Sequence, residues 1–259
     1  MLRTNLQFSG SNLRVILFTS SIQDEGKSET SFQLAISFTK LDKKVLYIDA
    51  DMRKSVFTTK HKISEEVQGL SQFLNGLNTE DIIYKTNIKN LNVVFAGPYA
   101  PNPAELLYDI KLDEFIKRQR LNYDYIIIDS PPSLSLLTDN GMIAANYVLL
   151  PVQAEFYALE GLGQLLETMK LIRKGLNPKL DLLGVLLTMV NPRTTLSTQV
   201  HDEIKKHFPD KTFRTTIPRN VRLAEAPSHG VPVGVYDRFS KGSRAYKALT
   251  KELEERISG

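Results

Sequence analysis

The chain has 259 residues, 42% hydrophobic and 24% charged, which excludes a disordered or fibrous protein. It contains no cysteine, so disulfide bonds, thiolate metal sites and a cysteine nucleophile are excluded. No apolar run approaches the roughly 18–20 residues that cross a bilayer, and the N-terminus lacks the apolar core of a secretion signal. We therefore expect a cytoplasmic protein without an integral membrane segment.

The net charge of +4 is unevenly distributed along the chain. Residues 189–259 carry 13 basic and 8 acidic groups, whereas residues 101–188 carry 8 and 11. A basic C-terminal part permits a polyanionic partner such as DNA, bound without sequence preference, but many lysines and arginines simply face solvent.

Short apolar segments alternate with longer amphipathic ones. The apolar segments predict strands at 15–19, 45–49, 93–96, 125–129, 148–152, 182–188 and 213–217. The amphipathic segments predict helices at 27–41, 112–120, 159–174, 196–207 and 244–257. Several strands are apolar throughout, which is typical of parallel strands covered on both faces. The sequence therefore predicts a single α/β domain over residues 1–259 with a doubly wound, mostly parallel sheet.

A phosphate-binding loop is predicted between the first strand and the first helix, where Gly26, Lys27 and Ser28 stand together. In such a unit the amides of the helix N-terminus cradle nucleotide phosphates, the lysine reaches the terminal phosphates and the serine helps to hold Mg²⁺. The arrangement indicates a nucleotide site, although the tripeptide alone is a weak signal.

The loop departs from the usual pattern. Ser21 stands where a glycine is expected, and Asp24, Glu25 and Glu29 place three carboxylates near the phosphates. An acid at a helix N-terminus also stabilises the helix dipole. For an anionic ligand, however, each charge is repulsive by about 1 kcal/mol. We expect phosphate binding to be weakened.

Acidic residues end two further predicted strands. Asp49 and Asp51 follow one strand at a spacing of two, and Asp129 ends another. Ligands of α/β sheets bind at the carboxyl ends of the strands, and carboxylate oxygens suit Mg²⁺ held by water and phosphate. Each acid alone could merely cap a turn, but the three together predict a Mg²⁺ site.

These motifs resemble the deviant-Walker P-loop ATPases, meaning the ParA/MinD group and its bacterial tyrosine kinase branch. Residues 1–132 are most similar to tyrosine kinases of the capsule and exopolysaccharide type, and residues from about 121 onward resemble chromosome-partitioning ParA proteins. We interpret the chain as a recombined or engineered chimera with a kinase-like half at 1–130 and a ParA-like half at 131–259. The alternative is a natural homologue with mixed features.

The resemblance implies a role for each matching residue. Lys27 would contact the terminal phosphates, Asp51 would position the attacking water or hydroxyl, and Gly26 belongs to the phosphate loop. The remaining implied roles are Mg²⁺ binding by Ser28, Asp49, Asp51 and Asp129, adenine recognition by Asn191 and Pro218, and DNA contact by Arg219 and Arg222.

Two departures from the family affect its expected activities. The ParA signature lysine is replaced by Ile22, which puts the ATP-dependent homodimer in doubt. The C-terminal tyrosine cluster, which is the autophosphorylation target of the kinases, is missing. Three hypotheses stay open: a Mg-ATP-binding, dimerising, DNA-binding switch with slow ATPase activity, a tyrosine kinase core acting on another protein, or a scaffold with a relic site.

Overall fold

The computed structural model describes residues 14–20, 23–52, 57–60, 63, 67–76, 82–98, 111–131, 136–155 and 158–258. Several positions quoted above lie outside these ranges, among them Ser21, Ile22 and the N-terminal residues of the kinase-like half. Residues 132–135, next to the join between the two proposed halves, also lie outside these ranges.

Within the described residues, seven strands form one sheet in the spatial order β3-β4-β2-β5-β1-β6-β7, and all neighbours are parallel except β3 and β4. The strands are β1 (Arg14–Phe18), β2 (Val45–Asp49), β3 (Tyr84–Lys85), β4 (Leu91–Val94), β5 (Tyr125–Asp129), β6 (Tyr147–Gln153) and β7 (Asp181–Thr188). This topology confirms the predicted doubly wound α/β fold.

Ten α-helices belong to the described part of the chain. They are α1 (Lys27–Thr39), α2 (Phe57–Lys60), α3 (Leu70–Leu74), α4 (Lys111–Gln119), α5 (Leu136–Ala144), α6 (Ala158–Gly175), α7 (Thr195–His207), α8 (Val221–Glu225), α9 (Val233–Tyr236) and α10 (Lys241–Ser258). A 3₁₀ turn, Ala226–His229, follows α8.

The two faces of the sheet are buried under different helices because side chains alternate along each strand. In β1, Val15 and Leu17 face a core built with α3 to α6, whereas Ile16 and Phe18 face a core built with α1 and α10. Fully burying one such side chain contributes about 1.5–3 kcal/mol. This double burial explains why the central strands are apolar throughout.

Two sequence predictions about strands were wrong. Residues 213–217 form no strand: isolated bridges flank the segment at Thr212 and Pro218, and Phe213 N–H and Ile217 N–H each donate to a carbonyl of β7, at 2.9 Å. The strand expected at 93–96 begins and ends two residues earlier, as β4. The antiparallel edge strand β3 was not predicted, since two residues give no periodicity.

Candidate nucleotide site

The carboxyl ends of three strands lie side by side at one edge of the sheet. Asp129, the last residue of β5, pairs in register with Phe18 of β1 and with Asp49 of β2. The loop that leaves β1 therefore starts beside both acids. The structure thus brings together three of the places that the sequence singled out.

The predicted phosphate loop leads directly into α1. Gly26 adopts a left-handed conformation with φ of 77°, which a residue with a side chain adopts only under strain, and Lys27 is the first residue of the helix. The carbonyl of Gly26 accepts the first helical hydrogen bond, from Thr30 N–H at 2.9 Å. The preceding amides of the first turn have no acceptor within the helix, so they present partial positive charge at the sheet edge.

Lys27 forms a buried ion pair with Asp129. Its Nζ lies 3.0 Å from Asp129 Oδ1, and the two side chains are only 7% and 3% exposed. The same nitrogen lies 3.4 Å from Ser28 Oγ. An ammonium group in the first turn of α1 is thereby held at the strand ends by the acid of β5.

The other oxygen of Asp129 is also engaged. Tyr47 donates its hydroxyl hydrogen to Asp129 Oδ2 at 3.3 Å from within β2. Burial, followed by the charges of Asp129 and Asp49, raises the pKa of Tyr47 well above its usual value, so the phenol is neutral. Asp129 therefore has one charged and one neutral donor.

Asp49 and Asp51 differ in exposure. Asp49 is 2% exposed at the end of β2, and its Oδ1 accepts the backbone N–H of Asp51 at 3.1 Å. Asp51 is half-buried, just beyond the strand. One acid is thus built into the sheet edge and the other lies nearer to solvent.

The three acids of the loop are placed differently from one another. Glu25 is 1% exposed, and its carboxylate accepts the backbone N–H of Gln153 at the end of β6, at 3.3 Å. Glu29 accepts a hydrogen bond from Gln33 Nε2, one turn further along α1, at 2.9 Å. Asp24 is exposed. Glu25 and Glu29 thus each have a neutral donor, and Asp24 faces solvent.

The segments expected to recognise adenine meet beyond the end of β7. Val190 pairs with Pro218, and Asn191 follows in the same turn. Asn191 Oδ1 accepts the backbone N–H of Arg193 at 3.2 Å, whereas the side-chain nitrogen Nδ2 of Asn191 has no hydrogen bond within the described ranges. The structure thus places Asn191 and Pro218 close together in the fold although they are 27 positions apart in sequence.

The two arginines expected at DNA differ in their contacts. Arg222 pairs with Glu225 at 2.8 Å and with Asp237 at 3.5 Å. The hydrogen bond from Arg222 lowers the pKa of Glu225, which keeps this pair charged. Arg219 is exposed, with no side-chain partner in the described part of the chain. Of these two arginines, Arg219 is the one without an ion-pair partner among the described residues.

A basic groove of about 700 Å³ lies between α1, α9 and α10. Its cations are Lys40, Arg238, Arg244, Lys247 and Lys251, and none of its lining residues is acidic. Apolar side chains, including Ile36 and Val233, line the remainder. The groove gathers five positive charges, more than the net charge of the whole chain.

The residues at the sheet edge fit a polyphosphate with Mg²⁺. The hydroxyl of Thr19, at the start of the loop, is buried without a hydrogen-bond partner among the described residues. Asp49 and Asp129 supply hard oxygen atoms, yet no group of three or more acidic or histidine side chains in the described ranges could enclose a metal. Such a donor set suits Mg²⁺ that completes its shell with water and phosphate.

Sequence reasoning missed Tyr47, Thr188 and the burial of Glu25. Tyr47 lies two positions before Asp49 in an apolar strand, so the two side chains share a face of the sheet. That spacing was the available signal for Tyr47. Nothing in the sequence indicated that Thr188 Oγ would donate to the carbonyl of Glu25 at 2.8 Å.

Within the part of the chain that the structure describes, no helix combines the length and hydropathy needed to cross a bilayer.

Comparison with known proteins covers most of the chain. The family model described as an AAA domain matches residues 14–182. The sporulation initiation inhibitor protein Soj of Bacillus subtilis is 41% identical over 249 residues, covering 93% of this chain and 98% of Soj. The chromosome partitioning protein ParA of Myxococcus xanthus is 38% identical over 250 residues, covering 94% and 88%.

Solved structures show the same fold. The septum site-determining protein MinD of Pyrococcus horikoshii, complexed with Mg-ADP, superposes with a TM-score of 0.77 at 23% identity and covers 95% of this chain and 98% of its own. The kinase domain of the Escherichia coli tyrosine kinase ETK gives a TM-score of 0.61 at 25% identity, covering 72% of each chain.

The relatives do not support a chain made of two halves. Soj and ParA each match through both proposed halves. The tyrosine kinase likeness is the weaker and less complete one. From its strand order, its loop and these whole-length matches, the chain belongs to the ParA/Soj family of P-loop ATPases.

Proposed function

We propose that this chain binds Mg-ATP at the start of α1 and acts as a nucleotide-dependent switch with slow ATPase activity in the cytoplasm. The observation that carries the proposal is the buried pair of Lys27 and Asp129, which holds a cation at the N-terminus of α1, at the carboxyl edge of the sheet. The family membership and the Mg-ADP complex of MinD support the same ligand.

The charge of each residue at the site determines which part of Mg-ATP it would contact. Lys27 turns from Asp129 to the terminal phosphates, and the amides of the first turn, together with Gly26, hold the remaining phosphate oxygens. Ser28, Asp49 and Asp129 would hold Mg²⁺, directly or through water, and the charge of the bound ion would offset that of the phosphates. Asp51 orients the attacking water. Asn191 and Pro218 contact the adenine.

The proposed switch also includes dimerisation and DNA binding. In our proposal the nucleotide favours a homodimer, and cations of the C-terminal part contact DNA phosphates without sequence preference. The arrangement of charges in the groove and at Arg219 supports the DNA contact better than Arg222 does, because Arg222 is already paired with two carboxylates.

Titration with fluorescent ATP in the presence of Mg²⁺ tests the nucleotide proposal. Lys27→Ala removes the ammonium and should weaken binding by about 10- to 100-fold, since a hydrogen bond to a charged group contributes about 1.5–3 kcal/mol. Lys174→Ala removes an exposed lysine at the end of α6 and should bind like the wild type. Equal affinity of the wild type and Lys27→Ala, or no binding by either, would refute the proposal.

A protein tyrosine kinase core is the second candidate, and the likeness to the ETK kinase domain favours it. Incubation with labelled ATP and a tyrosine-rich peptide separates the two. Phosphotyrosine on the peptide, absent with Asp51→Asn, would support the kinase. Hydrolysis without peptide labelling supports the switch, and the absence of both ATP binding and turnover indicates a relic site.

A further inference from the structure

Tyr47 connects the first turn of α1 to the acid of β5. Its hydroxyl lies 3.3 Å from Asp129 Oδ2 and 3.3 Å from Ser31 Oγ, and Ser31 Oγ lies 3.0 Å from the carbonyl of Ser28. Tyr47, Ser31 and Asp129 are all buried. These three contacts run from the residue expected to bind Mg²⁺ to the acid expected beside it.

The two hydroxyl groups carry two hydrogens for three contacts, so one contact at any time has no hydrogen bond. A hydrogen bond to a charged acceptor is roughly twice as strong as one between neutral groups. Tyr47 therefore donates to Asp129, and the hydrogen of Ser31 goes either to Tyr47 or to the carbonyl of Ser28. The bond to the carboxylate is the one that persists.

Aromatic packing fixes the position of this hydroxyl. The ring of Tyr47 meets Phe32 edge-on, with centroids 5.2 Å apart, and stacks on Phe57 at 5.2 Å. Because the ring is held by α1 and α2, its hydroxyl cannot follow Asp129 if that carboxylate rotates. It defines one orientation of the acid.

We propose that Tyr47 is a positioning residue, which keeps Asp129 in its metal-binding orientation after Lys27 has left it for phosphate. The inference rests on the proposed function. Among the described residues, Asp129 has two side-chain donors, Lys27 to Oδ1 and Tyr47 to Oδ2. Transfer of the Lys27 ammonium to phosphate removes the donor of Asp129 Oδ1. The hydroxyl of Tyr47 still holds Oδ2, and this bond keeps the carboxylate from turning away from the place where Mg²⁺ would bind.

The test compares Tyr47→Phe with Tyr246→Phe. Tyr246 is also buried and its hydroxyl also contacts α1, at Thr30 Oγ (3.3 Å), but it has no described contact with Asp129. Both variants lose one buried hydroxyl and keep the ring. ATP affinity is measured with Mg²⁺ and with EDTA, and the unfolding midpoint is measured without nucleotide.

Tyr47→Phe should weaken ATP binding about tenfold in Mg²⁺, as expected for one charge-assisted hydrogen bond, and leave binding in EDTA unchanged. Tyr246→Phe should change neither affinity, whatever its unfolding midpoint. Ser31→Ala should retain the Mg²⁺-dependent affinity, since Tyr47 still donates to Asp129.

The results that would contradict the proposed function differ from those that would contradict the role of Tyr47. If the wild type binds no ATP, the proposed function fails. If the wild type binds but Tyr47→Phe matches Tyr246→Phe, or weakens binding equally in EDTA, Tyr47 is merely structural and the inference is overturned. An effect of Ser31→Ala as large as that of Tyr47→Phe would also overturn it, because the bond to Asp129 would not then be the cause.

Discussion

At the residue scale, Lys27 and Asp129 depend on each other, since each is a buried charge whose partner is the other. Lys27→Ala or Asp129→Ala alone leaves the remaining charge uncompensated and should lower the free energy of unfolding by about 3–5 kcal/mol. The double variant should lose less free energy of unfolding than the sum of the losses in the two single variants. Urea unfolding without nucleotide measures all three.

The pair of Lys117 and Asp113 in α4, whose side chains are 64% and 23% exposed, is the control for this prediction. Lys117→Ala should cost about 0–1 kcal/mol, because solvent screens the charge of the exposed lysine. Additive losses in the Lys27 and Asp129 cycle would show that the two charges do not interact, contrary to the structure.

A site residue could be predicted from sequence when its role depends on residues near it in the chain. Gly26, Lys27 and Asp129 were found because a loop after a strand and an acid at a strand end are local patterns. Tyr47 was not, since a tyrosine in an apolar strand looks like core until the neighbouring strand places Asp129 against it. The orientation of Glu25 likewise depends on β6, 128 positions away in sequence.

At the element scale, the buried acid Glu252 explains why the strand predicted at 213–217 does not form. Glu252 of α10 accepts the backbone N–H groups of Arg214 and Thr215, at 2.8 and 2.9 Å, where a strand would bond to its neighbour. Burial raises the pKa of Glu252, but these hydrogen bonds and one from Arg256 outweigh it, so its pKa is lowered. An apolar sequence pattern could not reveal a competing acceptor on a distant helix.

Glu252→Gln should therefore destabilise the protein in a pH-dependent way. A glutamine side chain has one acceptor oxygen for the two amides, so about 1–3 kcal/mol should be lost at pH 7. Because the folded pKa is depressed, the stabilisation by Glu252 is present above its unfolded pKa of about 4.3 and is lost as pH falls through the folded pKa. Unfolding curves from pH 7 to pH 3 should converge for the two proteins.

Glu255→Gln, on the exposed face of the same helix, provides the control. Glu255 pairs with the exposed guanidinium of Arg214 at 2.7 Å, so its loss should cost at most about 1 kcal/mol. A difference between Glu252→Gln and the wild type that stays constant down to pH 3 would contradict the assignment.

Helix α5 shows why some elements escaped prediction. Gly141 lies in its middle, which lowers helix propensity in sequence. In the fold, however, a Cβ at Gly141 would come within 2.7 Å of Leu17 Cδ1 in β1. The glycine permits close packing of helix on strand, and tertiary contact outweighs the local preference.

At the scale of the whole molecule, the sequence predicted both the α/β architecture and a basic C-terminal part, but not where the charge would collect. Four of the five groove cations come from α10 and the turn before it, and Lys40 comes from the end of α1. Folding joins them on one surface. The distribution of charge in three dimensions required the packing of α10 against α1.

If the groove contacts DNA, its lysines should control the salt dependence of binding. Each lost phosphate contact lowers the slope of log affinity against log salt by about one. Lys247→Ala with Lys251→Ala should lower it by about two, whereas Arg222→Ala should change it little. Fluorescence anisotropy with a random duplex and ATP, at several salt concentrations, measures this.

Lys174→Ala with Lys179→Ala removes the same charge from another exposed place and is the control. An equal change of slope in both double variants would mean that net charge alone matters. No binding of DNA by the wild type with ATP would remove DNA as a partner.

The hydroxyl of Thr188 has a wider consequence. It ties the last residue of β7 to the carbonyl just before Gly26, and β7 continues directly into the turn of Asn191. The two ends of a long ligand would thus be held by two backbone segments that one hydrogen bond joins. Such a link lets the protein respond to a ligand's length as well as its charge.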